Sequence, residues 1–304
     1  MSRIRMPSRP RMLRRLALLA SLAMISGCTR ALVPLGTPLA PALTTAQVEG
    51  TQIAGGRIPA GAIVYSIFGV PAGGLLLARQ PAGISGTAVA ELPGDLRDIR
   101  LTGQSTPLGS STWVEIEVPP AGTGWINQWN LTEDMSGEAF CADPRVAALL
   151  GSFFDALRTR SGEALAQTIS PRRGLVLRHD WWNDEVVIPL SDIPELMRVT
   201  EPVAWGVQRG SGAPIVGSFR ERLMPELDAF LQAAATQACN AIQSGETGYP
   251  AQWPEDYARM NYVSLFVPAP EPGPVFNWRA WGVGIEYVDG VPYVAILIRY
   301  QGDL

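Results

Sequence analysis

Apolar and polar positions alternate along residues 60–133 in short runs, "AIVYSIF", "GGLLLARQ", "TAVAEL", "DIRLTG", "TWVEIEV" and "GWINQWNL", separated by Gly, Pro and Ser clusters. Such spacing predicts a small all-β unit. In "WVEIEV", Val114, Ile116 and Val118 alternate with Trp113, Glu115 and Glu117, so the first set is expected in a core and the second against solvent. The period changes after residue 134. In "CADPRVAALLGSFFDALRTRSG", Asp143 is a good N-cap, Pro144 suits the first helical position and Gly162 reads as a stop. Val146, Leu149, Leu150, Phe153 and Leu157 form the apolar face of that helix. A second long helix is expected over "RERLMPELDAFLQAAATQACNAIQS", with Leu223, Leu227, Leu231, Ala234, Ala238 and Ile242 at helical spacing.

Between the helices "GLVLRHDWWNDEVVIPL" predicts two strands around a turn, and "EPVAWGVQRGSGAPIVGSF" further strand and loop. The chain closes on "WRAWGVGIEYVDGVPYVAILIRYQ", two long runs joined by Asp289-Gly290, a strong hairpin signal. Residues 134–304 therefore read as α+β, with helices packed on an antiparallel sheet. The fold class expected for the whole is two domains, a small all-β barrel followed by this α+β domain.

The start of the chain has a different pattern. Six arginines between Arg3 and Arg15 precede an apolar stretch from Leu16 to Ile25, shorter than a membrane span. This matches the charged and apolar regions of a secretory signal over residues 1–27. Its end, "ISGC", resembles the bacterial lipobox. That resemblance implies that Cys28 is diacylated and becomes the first mature residue, anchoring the protein outside the cytoplasm on a bacterial membrane. Residues 28–59, rich in Pro, Gly, Ala and Thr without periodicity, read as a tether.

Losing the signal changes the charge. The whole chain is −4; without those six arginines, 18 basic side chains face 28 acidic ones, a formal −10. Nucleic acid is accordingly not expected as a partner. With Cys28 committed to lipid, Cys141 and Cys239 are the two remaining thiols, in a compartment where disulfides persist. They are expected to pair, through antiparallel packing of the two helices.

The β unit resembles the bacterial SH3 family. That family ends on a tryptophan-led strand, a Gly-rich turn and a Gly-Trp-Val-like strand leading to a leucine, seen here as Trp113-Val114, Gly124-Trp125-Ile126 and Leu131. Its Arg and Pro-Gly loop corresponds to Arg79, Pro81 and Gly83 in "LLLARQPAG". The usual Asn before the Arg is missing, and the loop "LTGQSTPLGSST" is longer than typical. The resemblance implies an SH3-like barrel that binds peptidoglycan peptide or docks a neighbouring domain, with Trp113, Trp125 and Trp129 as candidate ligand contacts. Large aromatics also fill small barrels. The α+β part is loosely similar to the cone-shaped NTF2-like fold, and the layout as a whole to SH3-domain lipoproteins. The two parts are expected to pack together through some of Trp125, Trp129, Trp278 and Trp281.

Chemistry-bearing patterns are sparse. His179 is the one histidine, so any mechanism built on an imidazole base must use it. Gly282 and Gly284 lie in a strand with no helix following, which suits close crossing by an aromatic ring rather than a nucleotide loop. The concentrated polar cluster is "RHDWWNDE". Strand alternation would put His179 and Asp180 on opposite faces, and one of the adjacent Trp181 and Trp182 would be exposed for stacking or packing. His179, Asp180, Trp181 and Trp182 are thus candidate rim residues of a ligand site. No catalytic residue, metal or cofactor is assigned. The function expected is that of a non-enzymatic envelope lipoprotein binding cell-wall peptide or an envelope protein. The alternative is an envelope hydrolase centred on His179.

Overall fold

Strands β14 (Arg279–Val288) and β15 (Val291–Gln301), the last two in chain order among the described residues, lie at the centre of the largest sheet. Asp289 and Gly290 between them both have positive φ, 53° and 75°, as a tight two-residue hairpin turn requires. The computed structural model describes residues 63–302 apart from 121, 234 and 247–249. The signal over 1–27, Cys28 and the tether lie outside the described residues.

Around the hairpin, β12 (Thr236–Cys239), β13 (Asn261–Val267), β8 (Leu175–Arg178) and β9 (Val186–Ile188) complete a six-stranded sheet in the order β12-β13-β14-β15-β8-β9. It is mixed rather than antiparallel throughout: β15 and β8 run parallel, Ile296 beside Val176. More than a hundred residues separate these strands, so no tight turn dictates their direction. Both faces of the sheet are covered, which is why its central strands read as near-continuous apolar runs. Trp281, Val283, Ile285, Tyr287 and Leu297 face the helices. Ala280, Ile296, Ile298 and Tyr300 face the opposite way, into a layer holding Phe68, Trp129, Trp253, Tyr257 and Trp278.

The helical layer comprises α1 (Gly137–Ala142), α2 (Pro144–Arg158), α3 (Gly162–Thr168) and α4 (Met224–Leu231), the last entered through a π-helical turn, Phe219–Leu223. At the start of α2 Asp143 accepts the Arg145 N–H at 2.9 Å and Pro144 takes the first turn. Val146, Leu150, Phe153 and Leu157 are buried. The stop differs from expectation: α2 ends at Arg158, and Gly162 opens α3 behind the Ser161 cap. The second helix is also shorter than its periodicity predicts. It ends at Leu231, and Ala238 and Cys239 belong to β12, paired with Ser264 and Val263. Beyond Leu231 the predicted helical face offers two alanines, Ala234 and Ala238, before Ile242, little area to bury over that stretch, while pairing with β13 satisfies the backbone. The Cys141–Cys239 disulfide forms, with Cα atoms 5.9 Å apart, but it joins α1 to an edge strand rather than helix to helix.

In the N-terminal part, β2 (Leu75–Gln80), β3 (Thr87–Pro93), β4 (Leu101–Leu108), β5 (Ser111–Val118) and β6 (Gly122–Asn127) form an antiparallel sheet ordered β3-β2-β6-β5-β4, beside a β1 (Tyr65–Ile67) and β7 (Leu131–Glu133) pair. Hydrogen bonding does not close this sheet: β3 and β4 are edges. Val114, Ile116 and Val118 enter its core with Ile67, Ala78, Ile126 and Leu131, as the alternation predicts. Trp113, expected at solvent, is 7% exposed.

The described residues all belong to one compact unit. Phe68 and Trp129 from the N-terminal part share an apolar cluster with Trp278 and Tyr257. Of the four tryptophans expected at this junction, Trp129 and Trp278 lie in that cluster, while Trp281 faces the helices. Trp253 crosses the sheet over Gly282 and Gly284, where a Cβ would come within 3.0 and 3.1 Å of its ring. This is the close aromatic approach that those glycines suggested.

Candidate functional site

Directly opposed residues of antiparallel strands share a face. On β5 and β6, Glu115 opposes Trp125 and Trp113 opposes Asn127, and Arg79 of β2 lies across from Trp125 on its other side. Arg79, Trp125 and Glu115 form one row on the face opposite Val114 and Ile116, and Trp113, farther along that face, is buried. Glu115 is held in place by Thr123 at 2.9 Å and Thr102 at 2.7 Å, and Arg79 donates to the Gly86 carbonyl at 2.7 Å. Trp125 is half-buried, and part of its side chain stays accessible between a positioned cation and a positioned anion. Such an arrangement suits a ligand with both apolar and polar parts. Trp113 and Trp125 thus share a face. Trp129 does not join them: its backbone carbonyl accepts from Arg173, and its ring meets Phe68 edge-on at the junction.

The polar cluster takes a different form from the one expected. β8 ends at Arg178, and Asp180 has φ 74°, so the chain turns at His179 instead of continuing as a strand. The opposite-face expectation is corrected accordingly: His179 and Asp180 lie on the same side. His179, 3% exposed, places Nδ1 at 3.6 Å from Asp180 Oδ2, an ionic contact, and donates from Nε2 to Glu226 Oε1 at 3.3 Å. Arg299 closes the group, donating to Asp180 at 3.1 and 3.2 Å and pairing with Glu226 at 2.7 Å. Burial alone would lower the His179 pKa, but the two carboxylates raise it above the ordinary value. Glu226 is shifted up by burial and down, by more, through His179 and Arg299. With His179 protonated, the group has two cations and two anions.

Glu226 and Arg299 escaped the sequence reading. One signal did exist, a lone Arg in "AILIRY", since a charge in a strand buried on both faces requires a partner. Glu286, alone in "GVGIEYV", is the same signal on the other face of the sheet, where Arg173 meets it.

The remaining cluster residues are structural in placement. Asn183 accepts the Val207 N–H at 3.0 Å and donates to the Val207 carbonyl at 3.2 Å, latching a two-stranded arm, β10 (Val203–Val207) and β11 (Pro214–Gly217), to the turn. Both tryptophans are half-buried. Trp181 packs into the aromatic layer, and Trp182 meets it edge-on and lies 4.6 Å beneath Arg209. Arg178 lies over the Tyr257 ring at 4.5 Å and pairs with Asp256 at 2.6 Å.

Among the described residues, no group of three or more His, Cys, Asp or Glu side chains is arranged to hold a metal. One pocket of about 220 Å³ lies beside the disulfide, and one of about 280 Å³ opens where the two parts of the chain meet. His179 lines neither. Comparison of the chain with protein-family models, curated proteins and solved structures finds no match.

Proposed function

We propose that the chain is a lipid-anchored extracytoplasmic protein whose N-terminal β part is an SH3-like module. In this reading Arg79, Trp125 and Glu115 take cell-wall peptide or an envelope protein partner, and the α+β part is the platform on which the module is fixed. The observation that carries it is Trp125, partly exposed on the outward face of the β5–β6 pair between a positioned cation and a positioned anion. The Cys141–Cys239 disulfide supports the compartment, because such bonds persist where the surroundings are oxidising. Against the hydrolase alternative stand the burial of His179 and the carboxylates facing both of its ring nitrogens.

Co-sedimentation of the purified chain with wall fragments tests the reading. Trp125→Ala is expected to reduce the bound fraction about tenfold while leaving the melting temperature in place, as loss of a buried aromatic contact predicts. Equal sedimentation of both proteins would remove the face from consideration, and release of soluble muropeptides would establish the hydrolase instead. Cys28→Ala tests the anchor separately: the variant should leave the membrane fraction or stay uncleaved.

A further inference from the structure

The pocket of about 280 Å³ at the junction is formed by both halves of the chain. Arg97 comes from the N-terminal part, Asp134 from the connection, Asn240 from the end of β12, and Arg259 and Asn261 from the entry to β13. Its two cations differ in what they already hold. Arg97 forks onto Asp134 through Nε and Nη2, so its charge is matched. Among the described residues Arg259 makes one hydrogen bond, from Nη2 to the Asp95 carbonyl at 3.0 Å. Among the described residues no carboxylate is in ion-pair contact with it. A guanidinium has five N–H donors in a planar fork, so most of its capacity is unused.

The walls beside Arg259 are fixed in advance. Asn240 donates to Asn261 Oδ1 at 2.8 Å and accepts the Tyr262 N–H at 2.9 Å; Asn261 donates to the Met135 carbonyl at 2.8 Å. A ligand entering here need not order these side chains, which lowers the cost of binding. The pocket's charge, two arginines against one aspartate, favours an anion. On the other side of Arg259 a second pocket of about 170 Å³ carries Asp95, Glu255 and Asp256. That neighbouring negative charge disfavours a dianion such as phosphate more than a singly charged carboxylate. The volume admits the end of a short chain and excludes a folded partner.

We propose that this pocket binds the free carboxylate of an amino acid or short peptide, with the Arg259 guanidinium as its bidentate partner. The site is distinct from the Trp125 face and does not depend on it. Because both halves contribute walls, an occupied pocket would also tighten the junction.

Titration calorimetry of the purified chain with Ala-Ala, against the same dipeptide carrying a C-terminal amide, tests the assignment. The acid is expected to bind at least about tenfold more tightly than the amide, the scale of a charge-assisted fork. Arg259→Gln should cost about the same factor. Asp134→Asn, which removes the competing anion, should strengthen binding, a gain that misfolding cannot mimic. Trp125→Ala should leave dipeptide affinity unchanged even where it abolishes wall binding, so the two sites succeed or fail separately. Equal affinity for acid and amide, an unaltered Arg259→Gln, absence of binding at millimolar dipeptide, or displacement of the dipeptide by equimolar inorganic phosphate would each overturn the proposal.

Discussion

Arg173 holds Glu286 in a fork of two hydrogen bonds, 2.9 and 2.8 Å long, and neither side chain reaches solvent. Two further donors go to the carbonyls of Trp129 and Leu131, at 3.0 and 2.7 Å, and its guanidinium lies 3.9 Å from the centre of the Phe68 ring. One side chain therefore ties the central strand of the large sheet to the end of the N-terminal part. Breaking such a pair strands a buried charge, which costs about 3–5 kcal/mol. Arg173→Met is expected to lose that much in urea unfolding. Arg173→Met combined with Glu286→Leu should recover a large part of it, and strict additivity of the two single changes would refute the coupling.

The His179 group sets a pH window. Its imidazole carries a raised pKa, since the pull of Asp180 and Glu226 exceeds the effect of burial. The stabilisation is fully present below the ordinary histidine pKa of 6.5 and is lost as pH rises through the higher folded value. Glu226, with a lowered pKa, contributes above its ordinary 4.5 and loses that contribution as pH falls. Urea midpoints should therefore peak in the mildly acidic range between these limits and decline as pH rises through the raised histidine value. His179→Gln should flatten the alkaline limb; an unchanged limb would show that another group controls it.

The disulfide closes a loop of 98 positions, for which chain-entropy arguments give about 4–5 kcal/mol. The Cys141→Ser and Cys239→Ser double variant is expected to be destabilised by up to that amount. Thiol labelling of the unfolded, unreduced parent should find neither Cys141 nor Cys239 reactive, and labelling of both would contradict the bridge.

Two glycines should respond with opposite signs. At Gly284 a Cβ would sit 2.8 Å from Ile296 and 3.1 Å from Trp253, so Gly284→Val overpacks the layer and should cost about 1–3 kcal/mol. Gly151 lies exposed within α2 with nothing near its Cβ position, and Gly151→Ala should stabilise by roughly 0.5–1 kcal/mol. Thermal denaturation of the pair checks both; equal shifts would contradict the close crossing by Trp253.

Features encoded within a few neighbouring residues were legible in the sequence. The Asp143-Pro144 helix start, the Asp289-Gly290 turn and the inward set Val114, Ile116 and Val118 each depend on local geometry or a short period, and each stands in the structure. Other features were decided by which surfaces meet. Helical spacing continued past Leu231, yet β12 forms there, because an edge of β13 offered backbone partners and Ala234 and Ala238 had little area to gain from a helix. His179 and Asp180 were expected on opposite faces; a positive φ at Asp180 puts both beside Arg299 and Glu226, residues 119 positions beyond Asp180 and 47 beyond His179. A charge in an apolar strand, Arg299 or Glu286, announces that a partner exists. Its identity depends on the tertiary packing, since ion pairs act through space and carry no trace of their separation along the chain.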